Sequence, residues 1–356
     1  MTGAVTDPDP DAGTDQRAVL ASLFRGQADW CERLGSPIYS YLLERAAADL
    51  EGGGPVWRVV EPYLDRPYNF THHLRMLGAT HRLALAGEAP ELAAHYLTTG
   101  GDGDAEAAWE ALVALLDARP ITLDRPVQTN EVGRSAALLG GFLTVAAETG
   151  LGLRVLEIGA SAGLNLRWDR FRYEAADWAF GDAASPARIP CDYDGGPPPL
   201  PAAVWVVERA GCDPSPIDAT SAEGALTLES FIWPEQVERL ELLRRAIEVA
   251  RRTPATVDAA SASDWLGERL ARERGGSATV VFHSIMWGYM TDDDRATITQ
   301  MIVEAGERAT SSEPLAWLRM EPGPDQADVT LTTWPDFDER VIAHAGYHGR
   351  PVTWVG

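Results

Sequence analysis

Apolar positions in the first third of the chain recur at helical spacing. Between Gln16 and about Arg125, segments such as RAVLASLFRGQADWCERLG, SPIYSYLLERAAADLE and DAEAAWEALVALLDAR place apolar residues three and four positions apart. This is the spacing of one face of an amphipathic helix. We therefore predict a helical domain over residues 16–127, preceded by an acidic, Pro- and Gly-rich tail at residues 1–15 that we expect to be disordered.

The pattern changes after residue 128. A helical stretch that ends at Gly150 is followed by short apolar runs that alternate with helical segments: LRVLEIG, AAVWVVERAGC, PATVDAA, SATVVFHSIMWGY and PLAWLRMEP. Such runs are typical of buried strands in βαβ units with a parallel sheet. DVTLTTWP and RPVTWVG predict two final strands that pair with each other. We predict an α/β domain over residues 128–356, with a long loop or insertion between Ala175 and Pro201.

The stretch VLEIGASAGLN joins the first of these strands to a predicted helix. Gly159 permits the backbone of a tight turn, and Gly163 permits close packing of the helix on the sheet. The N–H groups at the helix start would then face the carboxyl edge of the sheet, where open α/β folds bind ligands. The pattern alone is equally compatible with a tight turn that holds no ligand.

Two residues of this stretch narrow the choice of ligand. Ser161 stands where dinucleotide-binding folds have a glycine that lets the backbone approach a pyrophosphate, so a ligand without pyrophosphate fits better. Glu157 ends an apolar strand, where a buried carboxylate is unfavourable unless it is bonded. It either accepts hydrogen bonds from the N–H groups of the turn or binds the ammonium group of a ligand.

VLEIGASAG resembles the first motif of class I S-adenosylmethionine-dependent methyltransferases, which is a strand, an acidic residue and then Gly-x-Gly-x-Gly. Ser161 departs from the middle glycine of that motif. The resemblance implies an α/β fold with a seven-stranded, mostly parallel Rossmann-like methyltransferase sheet, and S-adenosyl-L-methionine as the cofactor. It also implies cofactor contacts from the residues of the motif and turn, namely Glu157, Gly159, Ala160, Ser161, Gly163 and Asn165.

Two later segments resemble further parts of the same superfamily. VWVVERAGCDPSPID resembles the second strand, whose final acid binds the ribose hydroxyls and would be Asp213. VDAASASDWL resembles the segment after the third strand, near the adenine, with Asp264 and Trp265. Asp213 lies farther from the turn than the roughly 20 positions of the related dinucleotide fingerprint. If the insertion does not account for this, Glu174 or Asp177 takes the ribose role.

The helix before the first strand is a further candidate region. Thr129 or Asn130 is expected to cap this helix, with Glu131 in its first turn. In the methyltransferase resemblance such a helix lies against the cofactor, which makes Asn130, Glu131 and Arg134 possible binding residues. Over its length the chain, including VQTNEVGRS, GCDPSPID and FIWPEQVERL, also resembles an uncharacterised bacterial family of unknown function assigned to this fold.

The candidate for catalysis lies on the predicted fourth strand, VVFHSIMWGYM. His283 should lie near its carboxyl end, and an imidazole that titrates near neutral pH suits a general base for a hydroxyl or ammonium acceptor. The rings of Trp287 and Tyr289 suit a sulfonium or another cation. The alternatives are a buried histidine bonded to a backbone carbonyl, and aromatic residues that only fill the core.

Composition excludes several classes of partner. The 53 acidic residues outnumber the 30 basic ones, giving a net charge of -23 at pH 7. Such a field repels phosphate backbones, so we expect a small-molecule substrate and no nucleic acid. Three cysteines without a CxxC pair and a start without signal-peptide features predict a cytoplasmic protein. We predict no membrane span and no metal site, and the sequence leaves the oligomeric state open.

These observations predict an enzyme, an S-adenosylmethionine-dependent methyltransferase that acts on an unidentified small molecule. The helical domain is expected to cover the site and select the substrate. Two alternatives remain open: a non-catalytic binding or scaffold protein with a methyltransferase-like fold, and a nicotinamide-dependent oxidoreductase, which Ser161 disfavours.

Overall fold

The computed structural model describes four segments of the chain: 16–67, 70–200, 203–272 and 275–356. These residues form two compact units, and the first comprises the described residues up to Val127 together with Ser230–Val237. The second comprises Gln128–Glu229 and Glu238–Gly356. The division at 127/128 falls where the pattern changes, whereas the membership of Ser230–Val237 in the first unit was not predicted. The tail predicted at residues 1–15 lies outside the described residues.

The first unit is built from helices. Its core consists of apolar side chains from several of them, including the fully buried Phe24, Leu42, Leu43, Met76 and Leu112. No described helix combines the length and the apolar character that crossing a bilayer requires. The helices are α1 (Gln16–Arg33), α2 (Pro37–Gly52), α3 (Pro55–Val60), α4 (His72–Leu85), α5 (Pro90–Ala93) and α6 (Ala105–Ala118).

After Val127 strands and helices alternate. The helices are α7 (Arg134–Thr149), α8 (Ala222–Ser230), α9 (Val237–Arg252), α10 (Ala262–Ala271) and α11 (Asp292–Glu307). The strands are β1 (Leu153–Ile158), β2 (Arg172–Glu174), β3 (Ala179–Phe180), β4 (Arg188–Pro190), β5 (Tyr193–Asp194), β6 (Val206–Asp213), β7 (Thr256–Ala259), β8 (Ala278–Ser284), β9 (Leu315–Pro322), β10 (Ala327–Trp334), β11 (Asp338–Ala345) and β12 (Val352–Trp354).

The second unit contains a mixed sheet of nine strands in the order β5-β12-β11-β10-β9-β8-β1-β6-β7. The strands β7, β6, β1, β8 and β9 are parallel neighbours, as in the 3-2-1-4-5 part of a doubly wound fold. The mostly parallel α/β sheet is therefore confirmed, while the predicted number of seven strands is wrong. The chain order reverses between β1 and β8, and open α/β sheets bind ligands beyond the carboxyl ends of strands at such a switch point.

The expected pairing of the two final strands is also wrong. β10 and β12 do not pair with each other, because β11 lies between them and pairs with both. The segment from Ala175 to residue 200, predicted as a long loop or an insertion, contains three short strands: β3 and β4 join β2 in a small second sheet, and β5 extends the main sheet. Strands of two or three residues are too short to produce a periodic signal. Pro201 lies outside the described residues.

Two helical layers cover the main sheet. On one face, Phe142 of α7 packs edge-on against Phe282 of β8, with ring centroids 5.1 Å apart. On the other face, Leu156 and Ile158 of β1 share a buried cluster with α10 and α11, which includes Ile302. Because side chains alternate along a strand, Glu157 of β1 points to the α7 face.

Candidate functional site

The turn after β1 has a backbone that requires small residues. Gly159, Ser161 and Gly163 have positive φ angles of 67°, 54° and 65°. A Cβ atom on Gly163 would lie 2.7 Å from Cγ2 of Val257 in β7, which agrees with the close packing expected there. A non-glycine residue with positive φ is strained, and strained positions cluster at functional sites. Ser161 is thus the unusual residue of this turn.

The α-helix expected directly after the turn does not form. The chain instead makes a seven-residue 3-10 helix, Leu164–Arg170, with non-helical angles at Arg167, and then enters β2 at Arg172. The N–H of Leu164 donates to Oδ1 of Asn130 at 2.8 Å. The helix start that was expected to face a ligand is therefore short, and this N–H is bonded within the protein.

The predicted N-cap of the helix before β1 is wrong as well. Helix α7 begins at Arg134, and Asn130 bonds the turn after β1 instead. Asn165 completes the connection, since its Nδ2 donates to the carbonyl of Glu131 at 3.2 Å and its Oδ1 accepts from Oγ of Ser135 at 2.7 Å. The predicted binding residue Asn165 thus joins the turn to the start of α7.

Other N–H groups of the turn are also bonded. Ala160 donates to a carbonyl of β6 at 2.9 Å, Ser161 to the Asp213 carboxylate at 2.9 Å, and Gly163 to the carbonyl of Ala160 at 2.7 Å. A phosphate-binding turn presents such groups to its ligand. This arrangement supports the sequence argument from Ser161 against a pyrophosphate ligand.

Asp213, at the end of β6, contacts the turn. Its Oδ2 accepts from the N–H of Ser161 at 2.9 Å and its Oδ1 from the N–H of Ser215 at 2.8 Å. Each carboxylate oxygen has capacity for one more hydrogen bond, and 9% of the residue is exposed. Of the three acids considered for the ribose, Glu174 is bonded by arginines in the small sheet and Asp177 lies between β2 and β3. Only Asp213 has a hydrogen bond to the turn.

Glu157 is the most unusual carboxyl group of the site. It is 3% exposed, and its Oε2 is buried without a hydrogen-bond partner in the described part of the chain. Burial raises the pKa of Glu157 well above its usual value; Arg167 and Arg134 oppose this rise, while Asp213 adds to it. The turn donates no hydrogen bond to this oxygen, so it does not brace the turn. Of the two roles weighed from the sequence, the ammonium partner fits this geometry better.

Two further charged residues lie at this edge of the sheet: Glu131, just before α7, and Arg134, its first residue. Burial alone would raise the pKa of Glu131, but Arg239, His348 and Arg134 together lower it. Nδ1 of His348 lies 3.2 Å from the Glu131 carboxylate, and Arg239 contacts the same group. Glu131 is thus a paired, ionised carboxylate, in contrast to Glu157.

Arg134 lies beside the switch point. Its Nη1 donates to the carbonyl of Ser284 at the end of β8 at 3.2 Å, and its Nε donates to the carbonyl of Tyr347 at 3.0 Å. Burial lowers the pKa of Arg134, and Glu131 is its strongest favourable charge. Arg134 therefore links α7 to the end of β8 and to the segment between β11 and β12.

His283 is buried and does not open onto this crevice. The preceding residue, Phe282, pairs in register with Glu157 and faces α7 with it, so His283 faces the opposite layer. Its ring is 0% exposed and stacks on Trp287, with centroids 4.8 Å apart at 11°. Its Nδ1 lies 2.7 Å from Oε1 of Glu321, and Nε2 has no partner among the described residues. This agrees better with a buried histidine than with a general base, and the base role stays a prediction.

Glu321, near the end of β9, is a residue that the sequence analysis missed. Its carboxylate bonds His283 and also accepts from the N–H groups of Met286 at 3.2 Å and Trp287 at 3.3 Å. It holds the segment after β8, in which Ile285 has a φ of 50°. The signal was present, because LAWLRMEP ends an apolar strand with an acid just as LRVLEIG does.

The two residues predicted to contact adenine lie in different environments. Asp264 is exposed in the first turn of α10, where it bonds the side chain of Ser261. Trp265 is 5% exposed within the core, and its Nε1 donates to Asp258 at 2.6 Å. Trp265 thus packs in the core, and adenine contacts from either residue stay a prediction.

The turn also carries a second motif that the prediction missed. Residues 159–163 read Gly-x-Ser-x-Gly, the spacing of a nucleophile elbow, and Ser161 has the strained backbone of that motif. Such a serine needs a base that takes its proton. Oγ of Ser161 instead donates to the amide oxygen of Gln128 at 2.5 Å. Because an amide is not a base, this geometry does not support a nucleophilic serine.

A family model described as "Uncharacterized protein conserved in bacteria (DUF2332)" matches residues 21–354, so the chain belongs to that family. The expected relationship to an uncharacterised bacterial family is confirmed, and its description carries no activity. No curated protein and no solved structure matches the chain.

Proposed function

We propose that this member of the bacterial family is an S-adenosylmethionine-dependent methyltransferase that acts on a small molecule. The observation that supports it is the buried Oε2 of Glu157, which has no partner among the described residues and lies near the end of β1, beside the switch point. S-adenosylmethionine carries an ammonium and a sulfonium group. A cation beside Glu157 would offset the unfavourable burial of its carboxylate.

The surrounding residues fit this cofactor. Asp213 keeps hydrogen-bonding capacity for ribose hydroxyls, and it is fixed by the N–H groups of Ser161 and Ser215. The bonded N–H groups of the turn are compatible with a ligand that has no pyrophosphate. When bound, the cofactor supplies a methyl group on a sulfonium for in-line displacement. The protein then has to align the acceptor and exclude water.

Binding calorimetry on the whole chain tests this proposal. We expect S-adenosylmethionine and S-adenosylhomocysteine to bind in the micromolar range, with NADH as a control that does not bind. Glu157→Gln should weaken both compounds, because each carries the ammonium group that we place beside Glu157. Glu307→Gln is the matched control, because Glu307 is an exposed carboxylate at the end of α11 and its loss should leave both affinities unchanged.

A non-catalytic binding or scaffold protein is the second candidate. The bonded N–H groups of Ala160, Ser161 and Gly163 favour it, since they make the turn self-sufficient without a ligand. Absence of binding by both S-adenosyl compounds would reject the methyltransferase proposal and support this candidate. Binding of NADH alone would support the oxidoreductase instead.

A further inference from the structure

A cavity of about 450 Å³ lies in the second unit, on the α9 side of the glycine turn. Its wall is formed by Ala162 and Arg167 after β1, by the segment from Pro216 to Thr220 after β6, and by the residues that join α9 to β7. This volume is within the range of roughly 300–1,000 Å³ that small-molecule sites have. None of the roles discussed above uses this space.

Arg167 brings a buried positive charge to the wall. The residue is 5% exposed, and its Nε and Nη1 donate to the backbone carbonyls of Thr253 at 3.0 Å and Gly163 at 2.5 Å. No carboxylate of the described residues lies within ion-pair distance of it. Burial, followed by repulsion from Arg209, lowers the pKa of Arg167 to about 10, and a weaker attraction to Glu157 opposes this. The guanidinium is hydrogen-bonded, but its charge is not neutralised.

A second arginine lines the same cavity. Arg251, in the last turn of α9, is exposed, and among the described residues its side chain has one hydrogen bond, to the carbonyl of Thr220, which is long at 3.5 Å. The wall also contains the exposed acid Asp218, whose Oδ1 accepts from the N–H and the hydroxyl of Thr220 at 2.9 Å and 2.6 Å. The cavity is therefore lined by two guanidinium groups and one carboxylate.

Apolar side chains also line the cavity. Ile217, Ala250 and Val257 contribute hydrocarbon surface beside the two guanidinium groups. Sites that combine apolar walls with a small number of charged groups bind organic molecules, because the apolar part gives affinity and the charges fix the orientation. Arginine is the side chain best suited to carboxylate and phosphate oxygens.

We propose that this cavity binds a small organic anion. Its carboxylate or phosphate group is bonded by Arg167 and Arg251, and its apolar body packs against Ile217 and Val257. The site is separate from the Glu157 oxygen assigned to a cationic group. The proposal does not depend on methyltransferase activity.

Calorimetry with three probes on the full chain tests it: phenyl phosphate, benzoate and inorganic phosphate. We expect saturable binding of phenyl phosphate or benzoate, and weaker binding of inorganic phosphate, which has no apolar body. Preference between the first two identifies the anionic group. If none of the three binds saturably, the proposal is wrong.

Variants locate the binding. Arg251→Ala should lower the affinity of the probe about tenfold, as expected for a lost charge-assisted hydrogen bond. Ala255→Phe should abolish binding by filling the cavity. Arg252→Ala is the matched control, since this exposed neighbour does not line the cavity. Binding that is unchanged in both Arg251→Ala and Ala255→Phe would overturn the proposal, whether or not the chain binds S-adenosylmethionine.

Discussion

Glu157 and Glu321 occupy the same kind of position, since each ends an apolar parallel strand at one edge of the sheet. Glu321 accepts hydrogen bonds from His283 and from two backbone N–H groups of the next segment along the edge. Glu157 has a buried oxygen without a partner in the described structure. An acid at the end of a strand is thus a brace at one position and a candidate ligand at the other, and only the surrounding donors distinguish them.

The largest effect is expected from removing the brace. Glu321→Ala leaves the N–H groups of Met286 and Trp287 and the imidazole of His283 without their acceptor. We expect the free energy of unfolding to fall by about 3 kcal/mol. Urea unfolding of the purified chain measures this. The exposed Glu307→Ala on α11 is the control, and an equal loss in both variants would contradict the role of Glu321.

A smaller loss is expected at the end of β6. Asp213→Ala removes the acceptor of the Ser161 and Ser215 N–H groups, which should lower the free energy of unfolding by about 2 kcal/mol. If Asp213 also binds the ribose, calorimetry should show a loss of about 2 kcal/mol in cofactor binding. Asp264→Ala, which alters an exposed acid of α10, is the stability control. Unchanged cofactor affinity in Asp213→Ala would reject its ribose role.

In contrast to the two preceding variants, Glu157→Gln should raise the free energy of unfolding. Burial raises the pKa of Glu157 in the folded state above its ordinary value of 4.5, so the folded protein keeps a proton that the unfolded chain releases. Stability therefore falls as pH rises above that value towards the folded pKa. A neutral glutamine removes this penalty and should stabilise the chain by about 1 kcal/mol at neutral pH.

Thermal unfolding as a function of pH checks this prediction. As pH rises from 4.5, the ordinary pKa of a glutamate, to neutrality, the wild type should lose stability relative to Glu157→Gln. Weaker S-adenosylmethionine binding in this more stable variant would identify Glu157 as a functional residue. A parallel pH dependence in both proteins would exclude the raised pKa.

The smallest effect is expected in the turn itself. Ser161→Gly relieves the strain of a φ of 54° but removes the hydrogen bond to Gln128. Because the two changes oppose each other, we expect the free energy of unfolding to change by no more than about 0.5 kcal/mol. Ser161→Ala keeps the strain and loses the bond, so chemical denaturation should show a loss of about 1 kcal/mol. Equal stabilities of the two variants would contradict a contribution of backbone strain at Ser161.

Local sequence patterns were sufficient to predict the helical character of the first unit and the parallel strands β1, β6, β7, β8 and β9. These are long or strongly apolar segments, whose periodicity is a local property of the chain. The close packing of Gly163 was also predicted and agrees with the structure. Asp213 was the first choice of three acids for the ribose, and that role stays a prediction. The predicted count of seven strands omitted β5, whose two residues show no period, and the eight-residue β11, which was not recognised as a strand between the two final ones.

The hydrogen-bond partners of the polar groups depend on how distant segments pack together. Asn130 accepts from the N–H of Leu164 and does not cap α7. His283 bonds Glu321 and stacks on Trp287. Each of these partners depends on contacts between segments far apart in the chain, about which a local pattern carries no information. Glu157 depends on packing in the same way, because its buried Oε2 has no hydrogen-bond donor among its described neighbours. A sequence specifies where an acid stands, whereas the packing around it decides whether it is satisfied.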